Sequence, residues 1–359
     1  MQNVSTDPQT AVSNPNRQRL IMFTLLGALT AIFLLSLFVG SVHIPLIDIL
    51  HVLTGGAAQK EAWTTIVLKF RLPKAITAVL AGSALSVSGL QMQTMFRNPL
   101  AGPFVLGINS GASLGVALVV LAVGATGGTL LAGLGLLSDL GIVVAASLGA
   151  GVVLFLVLSV ARRVETMTLL ILGLMFGYAT SAFVSVLLYF SIAERIQAYI
   201  AWTFGSFSGV TWRQMQVMAP VVLLGLAIAW LSAKPLNALL LGETYAHSMG
   251  LSVRRARFGV LVSASLMAGA ITAFCGPIGF IGVAVPHLCR SLFASSNHRL
   301  LIPATILLGG MVALVADLIA QLPGSQIRLP LNAVTALIGA PVVTWVILRR
   351  RNLRASFAG

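Results

Sequence analysis

The chain has 359 residues, 58% of them hydrophobic and only 8% charged, with a formal net charge of +14. Soluble domains carry roughly 25% charged residues, so a water-soluble globule is excluded. The 22 basic residues are spread over many loops, with no long basic tail and no aromatic-studded patch, which argues against a nucleic-acid surface.

Residues 1–16 are polar, rich in Asn, Gln, Ser, Thr and Pro, and read as a disordered tail. Beyond them, apolar stretches recur at the ~20-residue length that crosses a hydrocarbon core ~30 Å thick. Spans are expected near 20–40, 76–96, 104–124, 140–161, 167–190, 214–232, 257–275, 279–290, 300–322 and 331–348. The first is too long for a signal peptide and lacks a small-residue cleavage site, so it reads as a retained helix. The eighth is short. Residues 124–138 are apolar but packed with glycine, and a further crossing there would change the count. Residues 191–213 hold Tyr199, Trp202, Phe204, Phe207 and Trp212, a composition suited to a helix lying in the interface.

Ten spans put both termini on one side. Seven basic residues (Lys60, Lys69, Arg71, Lys74, Arg195, Arg213 and Arg328) then fall on the far side and the other fifteen on the side of the termini. Loop charge fixes orientation, so both termini are expected in the cytoplasm. An internal echo accompanies this count. Gly82, Gly89 and Pro99 are matched by Gly269, Gly276 and Pro286 at an offset of 187, with Ala81 matching Ala268. Copies beginning at spans two and seven run in opposite directions, and inverted repeats are a signature of transporters.

Little in the chain can do chemistry. No GxxxxGK[ST] loop occurs, so ATP is not bound in that way. Asp317 is the one clear intramembrane carboxylate, either a proton site or a local hydrogen-bond partner. The histidines (His43, His51, His247, His287 and His298) converge on no nucleophile, and Cys275 and Cys289 read as buried free thiols. The energy source is therefore expected on another polypeptide.

Three backbone features stand out. Between Lys234 and Arg257, Pro235 can open a short helix and Gly242 can close it. A second short helix over 243–249 ends at Gly250, before Arg254, Arg255 and Arg257. With Leu239, Leu240, Tyr245 and Met249 exposed, this loop either inserts into a groove on a cytoplasmic partner or rests on headgroups. Gly107, Gly111 and Gly115 line one face of span three as a packing seam. The break at residues 275–279 must be shielded by protein or line a cavity.

Several blocks of residues are together recognisable. Arg71-Leu72-Pro73, Leu80-Ala81-Gly82, Ser88-Gly89, Gln93 and Arg97-Asn98-Pro99-Leu100-Ala101 resemble the first signature of the FecCD family. That family comprises permease subunits of ATP-binding-cassette (ABC) importers for iron–siderophore complexes, haem and cobalamin. Leu241-Gly242-Glu243 with Ala246 and Gly250 resembles its coupling loop. Gly276 to Gly282, Val285-Pro286-His287, Asp317 and Leu329-Pro330 through Pro341 resemble its C-terminal signatures. The resemblance covers roughly residues 20–350.

It implies an all-α, polytopic, cobalamin-importer-like permease fold of about ten transmembrane helices, with spans 2–5 and 7–10 as the inverted repeat. A single permease domain over 17–351 would carry the coupling loop at about 234–257, with 352–359 as a cytoplasmic tail. Such a subunit of the bacterial inner membrane pairs with a second copy or a paralogue. It is driven by two cytoplasmic ATPase subunits and supplied by an extracytoplasmic binding protein. It is not itself an enzyme and binds no cofactor or metal, ATP-Mg belonging to the ATPases. Gly242, Glu243, Ala246, Met249 and Gly250 match the coupling segment; Asn98, Leu100, Thr166 and Met167 match the cytoplasmic gate. Arg71 and Lys74 match basic positions where the binding protein docks. The family commonly has Glu where this chain has Arg328, so Arg328 is expected to join that docking surface or to contact an anionic substrate, while Gln321 stands where the family is often basic. The cargo is expected to be a metal chelate, a ferric siderophore first, with haem or cobalamin as the alternative. An ion-driven secondary carrier is the distant rival, disfavoured by the scarcity of buried carboxylates.

Overall fold

In lipid every backbone N–H and C=O must find a partner within the chain, so apolar runs of this length fold as helices. The computed structural model describes residues 15–40, 42–121, 139–161, 163–321 and 328–355, and every regular element among them is helical. The chain begins with α1 (Pro15–Phe38), followed by short α2 (Leu46–Leu53) and α3 (Glu61–Ile66). A π turn at Val67–Arg71 carries α3 directly into α4 (Leu72–Met95). Then come a 3₁₀ turn at Pro103–Leu106, α5 (Ile108–Val120), α6 (Asp139–Ala161), α7 (Thr166–Tyr189) and α8 (Ala193–Thr203). The second half holds α9 (Trp212–Leu231), α10 (Ala233–Leu240), α11 (Glu243–Ser248), α12 (Val253–Cys275), α13 (Ile281–Phe293), α14 (His298–Ala320) and α15 (Leu331–Ala355).

Seven of these helices, counting Glu61–Met95 as one, are long and apolar enough to cross a membrane. Three shorter apolar helices, Ile108–Val120, Ile281–Phe293 and Leu331–Thr344, make up the expected ten. The sequence reading placed several boundaries differently. The second span starts near Glu61 rather than 76, because Arg71 and Lys74 lie inside a continuous helix with partners of their own. The third is only 13 residues long and begins at Ile108 rather than 104. The last helix runs through the terminal arginines to Ala355. Residues 1–14 of the polar tail, the glycine-rich stretch 124–138 and residues 356–359 lie outside the described residues.

The second span is the axis of the bundle. Of its most apolar window 83% is buried, against 17% for α1, which faces outward for most of its length. Hydrophobicity does not hold helices together in lipid, so close packing and polar contacts must. The Gly82 backbone meets Gly309 on α14, and Gly89 meets Gly282 on α13, so closely that a Cβ on either would overlap the facing carbonyl. Ser83 Oγ donates to Ile306 O (2.9 Å), Ser88 Oγ to Ala264 O (3.1 Å) and Gln91 Nε2 to Ser263 Oγ (3.1 Å). The expected seam on span three forms from Gly111 and Gly115, which face Gly149 and Ala145 of α6. Gly107 instead turns the chain into α5 at φ 73°.

The two halves are inverted copies. Helix α4 packs on α13 and α14 of the second half, and its counterpart α12 packs on α5 and α6 of the first. Helix α5 also contacts α6 and α7, as α13 contacts α14 and α15. Both α5 and α13 are 13 residues long and are entered through a positive-φ residue, Gly107 at 73° and Phe280 at 65°. The glycine echo that pointed to this repeat is out of register with it. Gly89 lies inside α4, whereas Gly276 lies just past the end of α12 at φ 74°.

Candidate functional site

Contacts sort the polar residues to the two ends of the bundle. At one end lie the short helices α10 and α11. Gly242, at φ 114°, separates them and sits against Arg97, while Gly250 follows α11 at φ 82°. Ala246 is fully buried, while Leu241, Tyr245 and Met249 are exposed and form the apolar surface of this loop. Leu239 is not part of it. Expected to be exposed, it packs inward with Ala233 and Leu236, an i, i+3, i+6 pattern present in the sequence. Asn237 anchors α10 to the body, donating to Asn297 Oδ1 (2.9 Å) and accepting from the His298 backbone (2.8 Å). His298, expected in a loop, is fully buried at the start of α14.

The expected gate segments lie at this same end, and each is wired to the loop. Arg97 Nη2 donates to Leu240 O (3.1 Å), joining the residue before Asn98 to the last residue of α10. Glu243 Oε1 is paired with Arg257 Nη2 at 2.7 Å, and Arg257 Nη1 donates to Val164 O (3.1 Å), two residues before Thr166. Asn98 Oδ1 accepts from the Leu100 backbone (2.9 Å), and His287 Nε2 donates to Pro99 O (2.7 Å), which fixes the turn from α13. Leu100 and Met167 are exposed; the side chain of Thr166 lies outside the described residues. Sequence reasoning placed Arg97 in a family signature and Arg257 in the basic run after the loop, without a contact for either. Their cross-chain acceptors have no local signal.

At the opposite end, Gly40, Val42, Phe70, Arg71, Lys74, Ser208, Gln321 and Arg328 line a cleft of about 350 Å³. Two of the cations expected at the docking surface are buried in this cleft. Arg71 is 6% exposed and donates to three backbone carbonyls, of Leu37 (2.6 Å), Phe38 (2.9 Å) and Val42. It therefore ties the end of α1 to the start of α4. Lys74 is 7% exposed and pairs with Asp317 Oδ2 at 3.0 Å, and Gln321 Nε2 donates to the same oxygen at 2.8 Å. Both charges are satisfied internally. Asp317 is thus the ion-pair partner of Lys74. Arg328 remains exposed, bonded to Ser208 Oγ at 2.9 Å.

The break after α12 both packs and lines a cavity. Ser206 N donates to Cys275 O (2.8 Å), and Cys275 and Gly276 border a cavity of about 180 Å³ beside Trp202 and Gly205. The break is closed by Asn332, which sequence reasoning missed. Its Nδ2 donates to Pro277 O and Thr203 O (2.8 Å), and its Oδ1 accepts from Gly279 N (2.9 Å). Asparagine is common, and nothing local marks one that two distant segments converge upon.

Among the described residues, ten spans in two inverted halves, with a helical loop wired to breaks at one end and a basic cleft at the other, define a multi-pass transport permease. The chain belongs to the FecCD transport family, whose model matches residues 28–349. It is 37% identical over 339 residues to the vitamin B12 import system permease protein BtuC of Klebsiella pneumoniae, covering 94% of this chain and 96% of that protein. The protein of the same name from Escherichia coli O9:H4 is 36% identical over 287 residues, 80% of this chain and 84% of that one. Among solved structures, one described as an inward-facing conformation of a metal-chelate type ABC transporter superposes with a TM-score of 0.79. It is 28% identical and covers 92% of this chain and 99% of that one. The chain is therefore a permease of the ABC-importer class that handles metal chelates and cobalamin.

Proposed function

We propose that this chain is the translocation subunit for vitamin B12 or a close corrinoid. The supporting observation is near-full-length similarity, 37% over 94% of the chain, to a vitamin B12 permease. This reverses the order reached from sequence, where a ferric siderophore came first and cobalamin was the alternative. Two copies would enclose the path, with two ATPase subunits holding ATP-Mg at the α10–α11 end and a binding protein docking at the Arg328 end. The asymmetry of loop charge supports a cytoplasmic position for the first of these ends and for both termini.

The wiring supports a coupling role for the loop. A partner ATPase gripping the exposed Leu241, Tyr245 and Met249 would pull on Leu240 and Glu243. Those residues hold Arg97 and Arg257, hence the segments leading to Asn98–Leu100 and Thr166–Met167. Displacement of the loop is thereby delivered to both sides of the gate. At the other end Arg328 would meet acidic residues of the binding protein, an opposite-charge contact that speeds and registers encounter. Arg71 and Lys74 support that surface from beneath.

The test is uptake into proteoliposomes containing this chain, its ATPase and its binding protein. Cyanocobalamin, haem and a ferric hydroxamate would be offered separately, with and without ATP. ATP-dependent accumulation of cyanocobalamin alone is expected. Accumulation of the hydroxamate instead restores the siderophore reading. Accumulation by this chain alone under a pH or sodium gradient refutes the importer reading altogether.

A further inference from the structure

Beside the coupling loop, the end of α6 and the start of α12 enclose a groove of about 550 Å³, lined by Phe155, Leu158, Ser159, Arg163, Arg254 and Phe258. Its polar mouth and its apolar wall are distinct. Arg163 and Arg254 are both exposed, and among the described residues neither has an ion-pair partner. Arg257, one turn further along α12, is by contrast committed to Glu243 and to Val164 O. That last bond fastens the turn after α6 onto α12 and so fixes the width of the groove. Away from the arginines, Leu148, Val152 and Phe155 continue along α6 as an exposed apolar strip at i, i+4 and i+7, with Phe155 70% exposed. Both walls are membrane-spanning helices, so the strip lies at hydrocarbon depth and the arginines at the headgroup level.

We propose that this groove is a site for an anionic phospholipid, its phosphate held by Arg163 and Arg254 and one acyl chain laid along Phe155, Val152 and Leu148. Guanidinium pairs match phosphate oxygens in geometry and charge, and basic pockets between spanning helices are where acidic headgroups bind. A soluble phosphate satisfies the arginines but not the strip. An acidic protein segment satisfies them but would lie in the aqueous phase, leaving the strip uncovered. A lipid satisfies both at once. Because Arg163 adjoins Val164 and Arg254 lies one turn from Arg257, the bound headgroup brackets the link from Glu243 to the α6–α7 turn.

The test is lipid binding to the purified chain in zwitterionic detergent, read by native mass spectrometry during titration with phosphatidylglycerol, phosphatidylcholine or inorganic phosphate. The wild-type chain is expected to retain phosphatidylglycerol in preference to phosphatidylcholine. In the double variant R163Q/R254Q that affinity should fall about thirtyfold, with phosphatidylcholine unaffected. A control pair at the opposite end, K60Q/R213Q, removes the same charge and should change nothing. Phe155→Ser should weaken phosphatidylglycerol binding while sparing the arginines. Equal binding by wild type and R163Q/R254Q, loss in the control pair as well, or full competition by inorganic phosphate overturns the proposal. So does crosslinking from position 155 to a second copy or to the ATPase in preference to lipid.

Discussion

The pair of Lys74 and Asp317 gives a quantitative test of how the charged end of the bundle is held. The two side chains are 8% and 9% exposed and 3.0 Å apart. At an effective dielectric of ~20 their attraction is about 5–6 kcal/mol, comparable to the several kcal/mol needed to strip each ion of water. The pair as a whole therefore contributes little over an apolar substitute, whereas removing one member costs about 3–5 kcal/mol. The two single variants should not be equal. In Lys74→Met, Asp317 keeps the Gln321 amide at 2.8 Å, which places that variant at the low end of the range. In Asp317→Asn, Lys74 is left beside Arg71 and Arg328 in the same cleft, which places it at the high end. The double variant K74M/D317N should recover at least half the larger loss. Thermal unfolding in detergent can be followed with a thiol-reactive dye, because both cysteines, Cys275 and Cys289, are buried until the chain opens. Double-variant destabilisation equal to the sum of the singles would falsify this account, since it would mean the residues act independently.

Replacing Gly89 by Ala should abolish monodisperse protein in size-exclusion chromatography, because the new methyl overlaps Gly282 on α13; Gly151→Ala, with open space around it, should be silent. Asn332→Asp should destabilise at least as much as Asn332→Ala, by about 1–3 kcal/mol or more in thermal unfolding, since a carboxylate would face the Pro277 and Thr203 carbonyls. Arg257→Gln should change thermal stability by less than about 1 kcal/mol, as the Glu243 partner is half exposed, while sharply lowering ATP-driven uptake. A variant that transports normally would break the proposed link from loop to gate. For orientation, an impermeant maleimide should label Arg213→Cys in intact spheroplasts and Tyr245→Cys only after lysis; the reverse pattern inverts the assignment of sides.

The ten spans were legible because lipid leaves few alternatives: a long apolar run is a helix, and its length counts crossings. Boundaries failed where charge entered a helix. Lys69, Arg71 and Lys74 look like the edge of the second span, yet Arg71 and Lys74 are satisfied by Leu37, Phe38 and Asp317, which only the fold brings near. The repeat was inferred correctly from residues that do not superpose, since glycine spacing is reused wherever backbones touch. At the loop end the sequence showed which segment is exposed and helical. The wires from Arg97 to Leu240 and from Arg257 to Val164 were invisible, because those acceptors are backbone carbonyls without residue identity. Docking at Arg71, Lys74 and Arg328 was carried by resemblance; of the three only Arg328 is exposed.

Asn332 joins the first turn of α15 to Pro277 and Gly279 and to the end of α8 with one amide. Those three pieces are consequently a single rigid fulcrum. A rearrangement that widens or narrows the bundle must carry them together, so the longest lever arms, and the largest excursions, belong to the far tips of α12 and α15.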